Sequence, residues 1–115
     1  MDIALFAGIA VSDYARAVAW YEKLVGETAT FEAHATECVW DLAEGRSFYV
    51  VEAPDDAGHS RVTWFVDDLD AFVAAARERG IEPDTEETYG NGVRKTTYRD
   101  PDGNEVGLGG ASEDA

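Results

Sequence analysis

The side chains able to do chemistry on a ligand are few. His59 and Arg61 stand two apart at the start of a β-compatible run, so an extended backbone turns both to one face. Arg61 there would hold a carboxylate, a phosphate or an enolate-like oxygen, because a guanidinium presents several donors and keeps its charge. Glu105 and Glu52 leave two readings open: a carboxylate that moves a proton beside Arg61, or an ion pair that merely neutralises it. Trp40 and Tyr49 flank the turn Ala43-Glu44-Gly45, and pairing 42 with 47 sets 40 opposite 49. Facing a cleft, the two rings form a stacking surface for a planar or cationic ligand; facing helices, they are core, where large aromatics are more often found. Cys38 has no histidine on its strand to activate it and reads as a small buried hydrophobe. Tyr89, in the loop Thr88-Tyr89-Gly90-Asn91-Gly92, sits on a lid or in an ordinary hairpin.

The elements that must position these residues come in two similar halves. Residues 3–11 are apolar and strand-like, Ser12-Asp13 caps a helix, and apolar positions 14, 17, 18, 21, 24 and 25 follow at helical spacing until Gly26. Strand-like runs Thr28–Ala33, Glu37–Leu42 and Arg46–Ala53 complete the first half. The pattern then restarts: strand Arg61–Val66, the acidic cap Asp67-Asp68, a helix carrying Leu69, Phe72, Val73 and Ala76 and closed by Gly80, then strands over Ile81–Thr88, Gly92–Arg99 and Val106–Leu108. Val11-Ser12-Asp13-Tyr14 superposes on Val66-Asp67-Asp68-Leu69 at a shift of 55 residues, the mark of an internal duplication. The expected fold is α+β: two βαβββ modules in tandem, residues 1–55 and 59–112, forming one domain over 1–115 with a cupped mixed sheet. The short polar linker Pro54-Asp55-Asp56-Ala57-Gly58 joins them.

Composition narrows the partners. The chain has 115 residues, 9 Lys and Arg against 24 Asp and Glu, and a formal charge of −15. Such a balance offers no cationic face to a phosphate backbone or an anionic membrane, so neither is an expected partner. It would draw cations by long-range attraction. The single cysteine allows no intrachain disulfide, and Met1-Asp2 places an acid where a secretory signal carries basic residues. A cytoplasmic protein is expected. Neither Asp67–Asp70 nor Asp100–Asp102 has the spacing of a calcium loop, and no GxGxxG, phosphate loop or Ser-His-Asp arrangement occurs.

Three segments, Val11-Ser12-Asp13 through Trp20-Tyr21-Glu22, Phe65-Val66-Asp67-Asp68-Leu69-Asp70, and Asp100-Pro101-Asp102-Gly103-Asn104, resemble the vicinal oxygen chelate superfamily in order along the chain. That superfamily contains glyoxalase I, extradiol dioxygenases and bleomycin-resistance proteins. The resemblance implies paired βαβββ modules, a homodimer, and a cup within or between chains. It implies no one reaction.

Metal-dependent members place a ligand on the first strand of a module, seven residues before the capping Asp; here those positions are Phe6 and Arg61. The carboxylate that follows the Asp-Pro-Asp-Gly-Asn turn is replaced by Gly107. A phenyl ring, a guanidinium and a glycine donate nothing to a cation, so no metal or other cofactor is expected. A displaced set of His59, Glu52 and Glu105 is the alternative. By strand parity Phe6, Arg61, Thr63 and Phe65 share the face that carries ligands in relatives, joined by Thr97, Arg99 and Glu105. The expected function is metal-independent binding of a small aromatic or cationic molecule by Phe6, Trp40, Tyr49, Glu52, Arg61, Phe65 and Glu105, as in drug sequestration. The rivals are a glyoxalase-like lyase, isomerase or dioxygenase with a displaced metal, and a metal-free enzyme using Arg61, so binding protein and enzyme both stay open.

Overall fold

Each half folds as the repeat dictates. The computed structural model describes residues 1–111, so the expected end of the second module at 112 lies outside the described residues. The first module runs β1 (Leu5–Val11), α1 (Tyr14–Val25), β2 (Phe31–His34), β3 (Glu37–Ala43) and β4 (Arg46–Glu52). A single 3₁₀ turn at Pro54–Asp56 leads to β5 (Arg61–Phe65), α2 (Leu69–Glu78), β6 (Thr85–Thr88), β7 (Arg94–Arg99) and β8 (Glu105–Gly110). The sheets have matching orders, β1-β4-β3-β2 and β5-β8-β7-β6, with the first pair parallel and the rest antiparallel. Each helix is the crossover that carries the chain from one edge strand to the other.

The helix starts are chemically alike. The Asp13 side chain accepts from Arg16 N and that of Asp68 from Ala71 N, each satisfying a donor that the first turn leaves free. α1 ends at Gly26 (φ 86°), where the guanidinium of Arg79 donates to the carbonyls of Lys23 and Leu24. A Cβ at Gly26 would lie 2.9 Å from that guanidinium, so space and backbone both select glycine.

One core joins the modules. Ile9, Val11, Tyr21, Leu24, Phe48 and Val50 pack with Leu69, Val73, Tyr98, Val106 and Leu108 between the sheets and the helices. Full burial of one such side chain stabilises by about 1.5–3 kcal/mol. Phe48 meets Trp64 across the junction with ring centroids 4.9 Å apart. Because the helix-side faces of both sheets share this core, their opposite faces turn outward together. Among the described residues no helix is long and apolar enough to cross a membrane.

Tyr21 ties α1 to the second module, its hydroxyl donating to Asp100 Oδ2 at 2.8 Å. Burial, then the charge of Asp100 and that hydrogen bond, push its phenol above the ordinary range. The fold therefore holds Tyr21 protonated where an unfolded chain would release the proton. Its contribution is intact below pH ~10 and falls above it, by up to about 1.4 kcal/mol per pH unit. In urea titrations, Tyr21→Phe should start less stable at neutral pH yet lose stability more slowly above pH ~10. Parallel decline in both proteins would show that this phenol does not govern alkaline unfolding.

Candidate functional site

Alternation along the strands fixes which side chains reach the open face. In the first module the face carries Phe6, Gly8 and Ala10 from β1, Tyr49 and Val51 from β4, and Val39 from β3, while the residues between them enter the core. The register sets Gly8 against Tyr49 and Tyr49 against Val39. The Tyr49 ring lies over Gly8, and a Cβ there would collide with its phenol. Phe6 is 51% exposed, and Phe31, in register with Val39, is also exposed.

The second module presents three rows. Lys95, Gly109 and Phe65 form one, Thr97, Gly107 and Thr63 the next, and Arg99, Glu105 and Arg61 the last. Phe65 is 65% exposed and its ring packs 3.0 Å from the position of a Cβ on Gly109. Glu105 receives Arg61 Nε at 3.3 Å and Arg99 Nη2 at 3.1 Å, and Arg99 Nε reaches Asp84 Oδ2 at 3.1 Å. The ion-pair reading of Arg61 is thus realised with Glu105, although the Arg61 side chain stays 78% exposed.

Two expected site residues lie elsewhere. Trp40 is 1% exposed in the core, stacked on Phe48 at 5.0 Å with Nε1 donating to Glu27 O at 3.0 Å. The cause is a bulge: β3 pairs Ala43 with Arg46 but Asp41 with Ser47, leaving Leu42 extra, so 40 meets Phe48 and 39 meets Tyr49. A one-residue slip changes the face of every side chain beyond it. Glu52 turns away from the open face as well, because its Oε1 accepts from Tyr14 N at 3.1 Å and caps α1 beside Asp13.

The donors present do not fit a metal. Phe6, Arg61 and Gly107 stand on the open face at the positions compared above. His59 is exposed and precedes β5, Glu105 is held between two arginines, and Glu52 caps a helix. Among the described residues no group of three or more His, Cys, Asp or Glu converges. Cys38 is buried in the core; burial, reinforced by the carboxylates of Glu32, Glu22 and Glu37 and opposed by a hydrogen bond from Tyr14, pushes its thiol up. A thiol so placed is a poor nucleophile.

Sequence reasoning missed Lys95, Phe31 and the glycines Gly8 and Gly109. The signal for Lys95 was available: it shares parity with Thr97 and Arg99, and the period-two glycines of β8 leave room for its stem. A separate concavity of about 370 Å³ lies on the helix side between α2 and β6–β7, walled by Val73, Arg77, Glu86, Arg94 and Thr96. None of the expected site residues lines it.

Paired βαβββ modules with helices on one face and an open face opposite define a family, and the comparison agrees: residues 3–108 match the Glyoxalase/Bleomycin resistance protein/Dioxygenase superfamily, to which this chain belongs. The chain is similar to the glyoxalase/bleomycin resistance protein of Catenulispora acidiphila DSM 44928, with 53% identity, a TM-score of 0.93, and coverage of 96% of this chain and 99% of that one. TnmS3, an antibiotic-binding protein from Streptomyces sp. CB03234, is 28% identical with a TM-score of 0.73, and 97% of each chain is covered. A bleomycin-binding protein complexed with bleomycin shares the fold at 20% identity and a TM-score of 0.77, covering 97% of this chain and all of that one. Among curated proteins, none matches the sequence.

Proposed function

We propose that this chain is a metal-independent binding protein for a small aromatic molecule, a cytoplasmic homodimer that sequesters a drug or metabolite in a cup built on the open face. The observation that carries this reading is the set of aromatic rings on the open faces: Phe6 and Phe65 are 51% and 65% exposed, and Tyr49 lies over Gly8. Exposed rings on a rigid sheet give contact area at little entropic cost, which is what a planar ligand needs. The antibiotic-binding relative at 28% identity supports a small-molecule ligand. Arg61 and Glu105 then form the polar wall at one end of the cup. The displaced set is not favoured, since Glu52 caps α1, Glu105 is held by two arginines, and His59 does not converge with them on one point among the described residues.

Exposed apolar side chains support the dimer. Phe6, Phe31 and Phe65 on the open faces, and Ile3 and Leu5 before and at the start of β1, are all exposed on a single chain, and soluble monomers rarely leave large contiguous apolar patches open. A second copy would cover part of this area and wall the cup.

The test is calorimetric and thermal titration of the purified protein in EDTA with the neutral probe 2-naphthylmethanol and its saturated analogue decahydro-2-naphthylmethanol. The aromatic probe should bind and raise the melting temperature, because a ligand selective for the folded state stabilises it by mass action. Equal binding of the two, or binding only after nickel or zinc is added, would overturn the reading. Light scattering during size exclusion reports the expected dimer at twice the monomer mass.

A further inference from the structure

The open face of the second module holds one ammonium for which the fold has no use. Lys95 is half-buried on β7 and, among the described residues, its ammonium makes no ion pair or hydrogen bond. The arginines on the same face are engaged: Arg61 and Arg99 share Glu105. Glu87, opposite Lys95 on β6, is exposed and forms no ion pair with it. Ordering a lysine and partly drying its charge with no acceptor is unfavourable, so the position calls for an acceptor from outside.

The direction of the side chain says where that acceptor would sit. A Cβ on Gly107 would stand 2.6 Å from Lys95 Cε, 3.5 Å from Lys95 Nζ and 3.2 Å from Thr63 Oγ1. The lysine stem therefore crosses β8 above Gly107, and its ammonium and the Thr63 hydroxyl border one spot. One step along the sheet the Phe65 ring covers Gly109. An exposed apolar ring beside two converging donors matches an aromatic ring that carries an anionic oxygen.

We propose that Lys95 and Thr63 form an oxyanion anchor and that the ligand is an aromatic carboxylate or phenolate, its ring on Phe65 and its oxygens on Lys95 Nζ and Thr63 Oγ1. This rests on the aromatic-binding reading and narrows its ligand class. The charge of −15 does not oppose it. At physiological salt distant charges are screened beyond about 8 Å, whereas a contact between a half-buried ammonium and a carboxylate is screened much less.

The test compares three near-isosteric probes by calorimetry in EDTA: 2-naphthoate, 2-naphthylmethanol and 2-naphthylmethylammonium. The wild-type protein should bind naphthoate about tenfold more tightly than the alcohol, the ratio expected for one charge-assisted contact, and the ammonium most weakly. Lys95→Met should abolish the preference for naphthoate over the alcohol, with Thr63→Val reducing naphthoate binding by a smaller factor of about three. Lys95→Gln repeats the test without an apolar replacement. Naphthoate binding no tighter than the alcohol, or a preference that survives Lys95→Met, overturns the anchor alone. If none of the three probes binds, the aromatic cup falls and the anchor with it.

Discussion

Asn104→Ala should lower the unfolding free energy by about 3–5 kcal/mol, one of the largest losses expected from a single substitution in this chain. Its amide serves three segments. Nδ2 donates to Ala10 O and to Asp100 Oδ2, each at 2.8 Å, and Oδ1 accepts from Ser60 N at 2.9 Å. The side chain is fully buried. Alanine would leave the part-buried Ala10 carbonyl and Ser60 amide without this partner, and each such group costs about 1–3 kcal/mol. Those groups belong to β1 and to the entry of β5, so the loss falls on the joint between the modules. Urea denaturation should show a lower midpoint, and Asp102→Ala, which removes only the exposed contacts to Ser12, should change it by less than about 1 kcal/mol. A small effect at Asn104 would mean that the core alone holds the modules together.

The same turn explains why the fold was legible. Asp-Pro-Asp-Gly-Asn reads as a hairpin turn, and the structure adds why Asp and Asn occupy its ends: Asp100 Oδ1 accepts from Asp102 N and Asn104 N, and Gly103 takes a φ of 89°. Helix caps at Asp13 and Asp68 were equally plain, since local hydrogen bonds need no knowledge of the rest of the chain. Strands at the outer edges were less so. β2 starts at Phe31 rather than Thr28, and β6 at Thr85 rather than Ile81. Both follow the exit from a helix, where apolar residues such as Ile81 serve the core without joining a ladder.

The open face was legible only where register is set by strand parity alone. Arg61, Thr63 and Phe65 on β5, and Thr97, Arg99 and Glu105 beside them, fall on the expected face because β5, β7 and β8 pair without a bulge. β3 has one, and an extra residue at Leu42 cannot be counted from composition or periodicity. Glu52 escaped for another reason. It ends its strand beside a helix start whose free backbone donors attract any carboxylate within reach. What a lone chain spells out is therefore the frame of the two sheets; which aromatic reaches the open face depended on one bulge.

That bulge yields the second prediction of large effect, a pair of variants with opposite consequences. Trp40→Ala should destabilise by about 3–5 kcal/mol, since it empties a site packed against Phe48 and Tyr21 and strips the Glu27 carbonyl of its donor. It should leave the affinity of the folded protein for 2-naphthylmethanol unchanged, because no atom of Trp40 borders the open face. Tyr49→Ala should do the reverse. Its ring lies on the surface of the sheet over Gly8, so its loss should cost under about 1 kcal/mol of stability. The same loss should weaken binding by roughly three- to tenfold, the worth of one aromatic contact. Thermal melts and calorimetric titrations on both variants separate the cases. If Trp40→Ala lost binding with its fold intact, the indole would have to reach the ligand and the register of β3 against β4 would differ from the one that places Val39 opposite Tyr49. If Tyr49→Ala bound the probe as tightly as wild type, the ligand would sit on the second module alone, against Phe65.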